Sequence, residues 1–257
     1  MLDDVQAVKA FNATGLGQTA HAALRRSVRR IWPNLSGQTV LGLGYASPLL
    51  PLWRRQARLC VDAVAAASMD DDPNATRTRC FVQDDALPFP DASFDRVAMM
   101  HAVETTDATR LLRGVSGCLR DDGRLLVVVP NRTGLWAIHD GTPFADGAPC
   151  SIGRIERLLR RSLFRIESLH GGLFAPPVES LRRAAPLIEA AGRHLSPRLS
   201  GVLIVEAVKD VHAALPVPSA SRRFGGILSR RVLLPLGRIG TADQASIATP
   251  YSSSTSR

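Results

Sequence analysis

The sequence predicts a single doubly wound α/β domain built on a mostly parallel sheet. Three observations predict it. Short apolar runs alternate with segments of helical period over most of the chain. The first such run, Thr39–Leu43, passes straight into a glycine-bearing turn, Gly42-Leu43-Gly44-Tyr45-Ala46-Ser47-Pro48. A later run, Arg124–Val129, is continuously apolar after its first residue and ends in three β-branched valines, as expected of a central strand covered on both faces.

Residues 2–31 read as one or two helices, broken near Thr14-Gly15-Leu16-Gly17 and ended by Trp32-Pro33-Asn34. Thr39–Leu43 is the first strand. Ser47 is a good N-cap and Pro48 a good first helical residue, so a helix is expected from Pro48 to Gln56. Ala57–Val64, Arg79–Gln83 and Phe94–Met100 are the next strands, with polar loops at Asp70–Thr76 and Asp84–Ser93. A helix is expected over Asp107–Leu119, a turn at Asp121-Asp122-Gly123, then the Arg124–Val129 strand. Asn131–Pro149 is long and irregular. Ser151–Ser162 has an amphipathic helical pattern, Phe164–Leu169 reads as a strand, Ser180–Gly192 as a helix and Val202–Val208 as the last strand. Residues 1–36 are therefore expected to form an N-terminal helical segment and 37–210 the α/β domain. The Pro-, Ser- and Arg-rich residues 211–257 are expected to be a disordered basic tail.

The 257 residues, 45% hydrophobic, suffice for one sizeable core. No apolar run reaches the ~20 residues of a membrane span, and the acidic start lacks a signal pattern; a cytoplasmic protein is expected. Cys60, Cys80, Cys118 and Cys150 are scattered, which argues against both a zinc site and a disulfide framework. The net charge of +9 raises a nucleic-acid partner. The charge is nearly all arginine, however, and Arg25, Arg26, Arg29 and Arg30, or Arg154, Arg157, Arg160 and Arg161, suit the solvated faces of amphipathic helices. Scarce aromatics also disfavour a base-stacking platform.

Ligands of such sheets bind at the carboxyl ends of the strands. The turn at Gly42 and Gly44 lies there. By itself it suits a nucleotide, another anionic group at a helix start, or no ligand. A phosphate-binding P-loop would need Gly-Lys-Ser/Thr, which is absent, and neither Tyr45 nor Tyr251 begins a Tyr-x-x-x-Lys pair.

A second segment is more specific. Asp84-Asp85-Ala86-Leu87-Pro88-Phe89-Pro90, continuing to Ser93-Phe94-Asp95, is followed by His101-Ala102-Val103-Glu104 and then by Leu119-Arg120-Asp121-Asp122-Gly123-Arg124-Leu125. In this order and spacing the three motifs resemble the class I S-adenosylmethionine (SAM)-dependent methyltransferases, specifically the type 11 group. The resemblance runs from about Thr39 to Val129. It implies a Rossmann-like sheet, SAM as cofactor and methyl transfer as activity. It also implies that Gly42, Gly44 and Tyr45 border the cofactor, with Gly44 letting the backbone approach its methionine part, that Asp85 accepts from the adenine amino group with Ala86 beside the ring, and that His101 lies near the methyl donor. Asp62 is the nearest candidate for the acid that holds the ribose, although it falls inside its strand. The family's loop reads Asp/Glu-x-Gly-x-Gly-x-Gly. Here Gly42 replaces the acid, and Ala46 and Pro48 replace later glycines.

Asn131-Arg132-Thr133-Gly134-Leu135-Trp136, continuing to Thr142-Pro143-Phe144, resembles an uncharacterised bacterial subgroup of these enzymes. Asn131, Arg132, Trp136 and Phe144 are candidate substrate contacts on a lid; the other reading is a packed loop anchored by Trp136 and Phe144. His101 and His139 are the candidate bases, since imidazole takes protons near neutral pH. No metal site is expected. A small-molecule acceptor is favoured over nucleic acid. The alternative is a catalytically inactive, methyltransferase-like binding or scaffold protein.

Overall fold

The computed structural model describes residues 10–11, 13–65, 78–82, 87–104, 107–137 and 150–210. They lie in one compact unit, Met1–Pro216; the other unit, Val217–Arg257, lies outside the described residues, as does the rest of the expected tail. Seven strands form one sheet: β1 (Thr39–Gly44), β2 (Leu59–Ala65), β3 (Arg79–Val82), β4 (Phe94–Met100), β5 (Leu119–Pro130), β6 (Phe164–Gly172) and β7 (Val202–Lys209). Their order is β3-β2-β1-β4-β5-β7-β6. The pairs from β3 to β5 are parallel, and β7 is antiparallel to both β5 and β6. The described helices of eight residues or more are α1 (Gly15–Ile31), α2 (Ala108–Cys118), α3 (Ile152–Arg161) and α4 (Ala185–Gly192). The Rossmann-like class I architecture expected from the sequence is the one observed. No described helix is long and apolar enough to cross a membrane.

The period-2 alternation of the strands fills a core on each face. Leu41, Leu43, Val97, Met99, Leu125 and Val127 point to one side, where α2 and α3 add Leu112, Val115, Ile155 and Leu159. Val40, Ala98, Met100, Leu126 and Val128 point to the other, where α1 adds Leu24 and Val28. Tryptophans tie this second face together. Trp53 donates to the Trp32 carbonyl at 3.1 Å, and Trp32 donates to Glu206 of β7 at 3.0 Å. Burial raises the Glu206 carboxyl, but the bonds from Trp32, Arg124 and Ser168 outweigh it and leave it below the usual carboxylate range. Cys60, Cys118 and Cys150 are buried, and burial pushes the Cys60 and Cys118 thiols up to about 11.

Some elements differ from expectation. The helix expected over Pro48–Gln56 is only a 3₁₀ turn, Leu50–Leu52, flanked by further turns. Pro51 supplies no N–H and blocks a continuous α-helix, so Leu49, Leu52 and Trp53 donate three residues back instead. Ser47 does not cap; its hydroxyl donates to Asp62 at 2.8 Å. The helix expected over Ser180–Gly192 is split into a 3₁₀ turn, Glu179–Leu181, and α4, with Pro186 in the first turn of α4. The expected Asp121-Asp122-Gly123 turn survives as a bulge, where the β4–β5 register jumps from Phe94↔Leu119 to Arg96↔Arg124. By contrast α3 starts at its Ser151 cap, which accepts from the Arg154 N–H.

Candidate active site

The sheet order reverses direction between β1 and β4: β2 and β3 lie on one side of β1, and β4 and β5 on the other. The carboxyl ends of β1 and β4 therefore border the crevice where such folds bind ligands. There the Tyr45 N–H donates to the Met100 carbonyl at 2.7 Å. Gly44 has φ +69°, and a Cβ on it would meet the Met100 oxygen at 2.5 Å and the Ala102 Cβ at 2.8 Å. Glycine at this position thus lets the segment leaving β4 close onto the turn leaving β1.

Gly42 is closed off in another way. A Cβ there would lie 2.9 Å from one Leu50 methyl carbon and 3.0 Å from the other. Leu50 is fully buried. The 3₁₀ turn that replaces the expected helix thus fills the space beside Gly42 with an apolar side chain. Asp62 lies opposite Gly42 in mid-strand, 1% exposed. It accepts from Ser47 at 2.8 Å and from Arg79 Nε at 3.2 Å, so it braces the turn against β2 and β3.

His101 follows β4 directly and adopts φ +52°, a left-handed conformation that costs a non-glycine residue about 1–2 kcal/mol. Such strain persists where surrounding contacts over-determine it, often at functional sites. Here the imidazole Nδ1 lies 3.1 Å from one Glu104 oxygen and 3.3 Å from the other. Both side chains are mostly buried. With Nδ1–H donating to the carboxylate, Nε2 is the ring's acceptor. The sequence reading did not single out Glu104 or the residues of α1 beside this pair. Burial first, then the charges of Arg25 and His101, push His21 down to about 4, so it is neutral at physiological pH. Arg25 reaches the Pro48 carbonyl at 3.5 Å. Helix α1 therefore forms a wall of the crevice, which only the pattern of buried and exposed positions along it could have signalled.

The other sequence candidates divide. Asn131 is buried, and its amide donates to the carbonyls of Pro197, Arg198 and Ser200. Trp136 is buried too; its indole donates to Ala175 at 2.7 Å and its ring stacks edge-on against Phe11. Both anchor the segment that leaves β5. Cys150 donates back to Pro130 at 3.0 Å, so the two ends of the 131–150 connection meet. Arg132 is exposed beside this closure. Asp85, Ala86, His139 and Phe144 lie outside the described residues. Among the described residues no group of three or more His, Cys, Asp or Glu side chains could hold a metal ion.

Residues 40–127 match the family model of a methyltransferase domain. That segment, about a third of the chain, is similar to the methyltransferase-domain family. Solved structures have the same fold. A SAM-dependent methyltransferase from Thermotoga maritima is 16% identical with a TM-score of 0.57, over 76% of this chain and 91% of that one. A SAM-dependent methyltransferase from Archaeoglobus fulgidus is 18% identical with a TM-score of 0.51, over 74% and 94%. The geranyl diphosphate C-methyltransferase of Streptomyces coelicolor A3(2), solved with S-adenosylhomocysteine, is 16% identical with a TM-score of 0.51, over 72% and 78%. The search of curated proteins found no match.

SAM is the cofactor that the similarity to a methyltransferase domain implies. The donor set of the crevice fits it. The space beside Gly42, where the family carries an acid, belongs to Leu50, but a carboxylate is present two residues beyond Ala102, at Glu104. A carboxylate has about four lone-pair positions, and His101 uses only part of that capacity.

Proposed function

We propose that the chain transfers a methyl group from SAM to a small-molecule acceptor that loses a proton on methylation, with His101 as the base. The observation that carries this reading is the His101–Glu104 pair at the end of β4, held beside the Gly44 turn. When bound, SAM supplies an electrophilic methyl group that is already activated, so the protein's task is to align the acceptor, exclude water and take up the proton. Glu104 fixes the His101 tautomer so that Nε2 accepts. Its remaining lone pairs are available to the ammonium group of the cofactor, in place of an acid at position 42. Asp85 and Ala86 are assigned to the adenine, and Arg132, His139 and Phe144 to the acceptor side. Asn131 and Trp136 position that side without touching the acceptor. Asp62 serves the cofactor indirectly, through Ser47.

The test supplies methyl-labelled SAM with a cell extract split by ultrafiltration into small and large molecules. Label is expected among the small molecules. His101→Asn should lower the transfer rate about 10²-fold or more, with a smaller effect on affinity for S-adenosylhomocysteine. Glu104→Gln should weaken that affinity about tenfold. Label confined to macromolecules would contradict the acceptor class, and full transfer by the His101 variant would contradict the base.

A further inference from the structure

A second concave site lies away from the crevice, on the far side of the sheet order. It is a cavity of about 820 Å³ against the edge strand β6, between the last turns of α1 and the segment that follows α4. It shares no lining residue with the Gly44–His101 crevice. Its volume is that of a small-molecule site.

Its chemistry is cationic and rich in donors. Arg30 and Arg193 line it, together with His170 and His194 and the hydroxyls of Ser27 and Ser168. Partial desolvation and the like charges of Arg193 and Arg26 disfavour the charged form of Arg30, against a smaller attraction from Glu189. Neither Arg30 nor Arg193, both solvent-exposed, has a carboxylate within ion-pair distance among the described residues. The nearest acids are already committed. Glu189 accepts from the Ala175 N–H at 2.9 Å, and Glu206, in the cavity wall, is held by Trp32 and Arg124. Two like charges therefore line one concavity with no carboxylate at ion-pair distance, and Glu189 acts on both only from farther away. Beside them Ile31, Leu169, Phe174 and Leu195 provide an apolar surface.

We propose that this cavity binds an organic phosphate monoester. The phosphate, with a charge of about −1.5 to −2 and three acceptor oxygens, meets the two guanidiniums and the neighbouring hydroxyl and imidazole groups. The organic body lies against Phe174 and Leu195. The site is separate from the methyl-transfer crevice and does not depend on the reading given for it.

Isothermal titration with hexyl phosphate tests this. Saturable binding is expected, at least about tenfold tighter than that of inorganic phosphate, because the alkyl chain gains apolar contact. The Arg30→Ala/Arg193→Ala double variant, checked for folding by circular dichroism, should lose about tenfold or more in affinity. Arg154→Ala, which removes a solvated arginine of α3, should change nothing. Saturating S-adenosylhomocysteine should not displace the ligand. The proposal is overturned by the absence of saturable binding, by an equal loss in the Arg154 variant, by displacement by S-adenosylhomocysteine, or by attachment to phosphatidic acid vesicles without binding of hexyl phosphate.

Discussion

At the scale of the residue, the informative position is Gly42. The sequence shows that the usual acid is missing there, but not what fills its space. What stands there instead is Leu50, whose methyl carbons lie 2.9 and 3.0 Å from where a Cβ would be. This could not be read from the sequence, because Leu50 was expected on a helix and lies in a 3₁₀ turn instead. Restoring the acid should therefore do harm. Gly42→Asp overpacks a closed site and buries a carboxylate, and is expected to destabilise the fold by about 2–4 kcal/mol without tightening S-adenosylhomocysteine binding. Urea unfolding with a parallel ligand titration checks both parts. A variant of native stability that binds more tightly would show that the space is open. Asp62 was correctly placed inside its strand, but its pairing with Ser47 and Arg79 was hidden, since it depends on the loop geometry that the missing helix changed.

At the scale of the element, the strands were the more legible part. Their apolar runs are short and bounded, and burial on both faces leaves little choice of register. The helices failed where proline fell inside the pattern, at Pro51 and Pro186, and held where a cap was clear, at Ser151. Helix α1 was legible as a helix but not as a wall of the site, because its docking depends on contacts remote in sequence. Its His21 carries a pH signature. In the unfolded chain it binds a proton near 6.5, and in the folded chain only near 4. Between those values the unfolded state binds more protons, so folding stability is complete above about 6.5 and falls as the pH drops toward 4. The expected loss from pH 7 to pH 5 is about 2 kcal/mol. His170, also lowered by burial, adds to the loss over the same range, so the difference between wild type and His21→Gln is the readout. Urea midpoints at the two pH values should fall further in the wild type; equal falls would mean that His21 titrates freely.

At the scale of the whole molecule, topology brings the site together. The reversal of strand order between β1 and β4 joins Gly44 to Ala102, and with them His101 and Glu104, from parts of the chain about sixty residues apart. The resemblance of residues 84–104 and 119–125 to class I methyltransferases made this sheet legible. The cavity beside β6 was not legible at all. It gathers Arg30, Arg193 and His170 from three elements, and the sequence shows Arg30 only as one of a helix's solvated arginines. The central claim is that SAM binds at the β1–β4 switch point despite the altered glycine turn. Hydrogen–deuterium exchange with and without S-adenosylhomocysteine tests it most directly. Binding should slow exchange in residues 41–47 and 100–104 and leave the cavity residues around Arg30 and Arg193 unchanged. No protection of the two switch-point segments at millimolar ligand would contradict the claim.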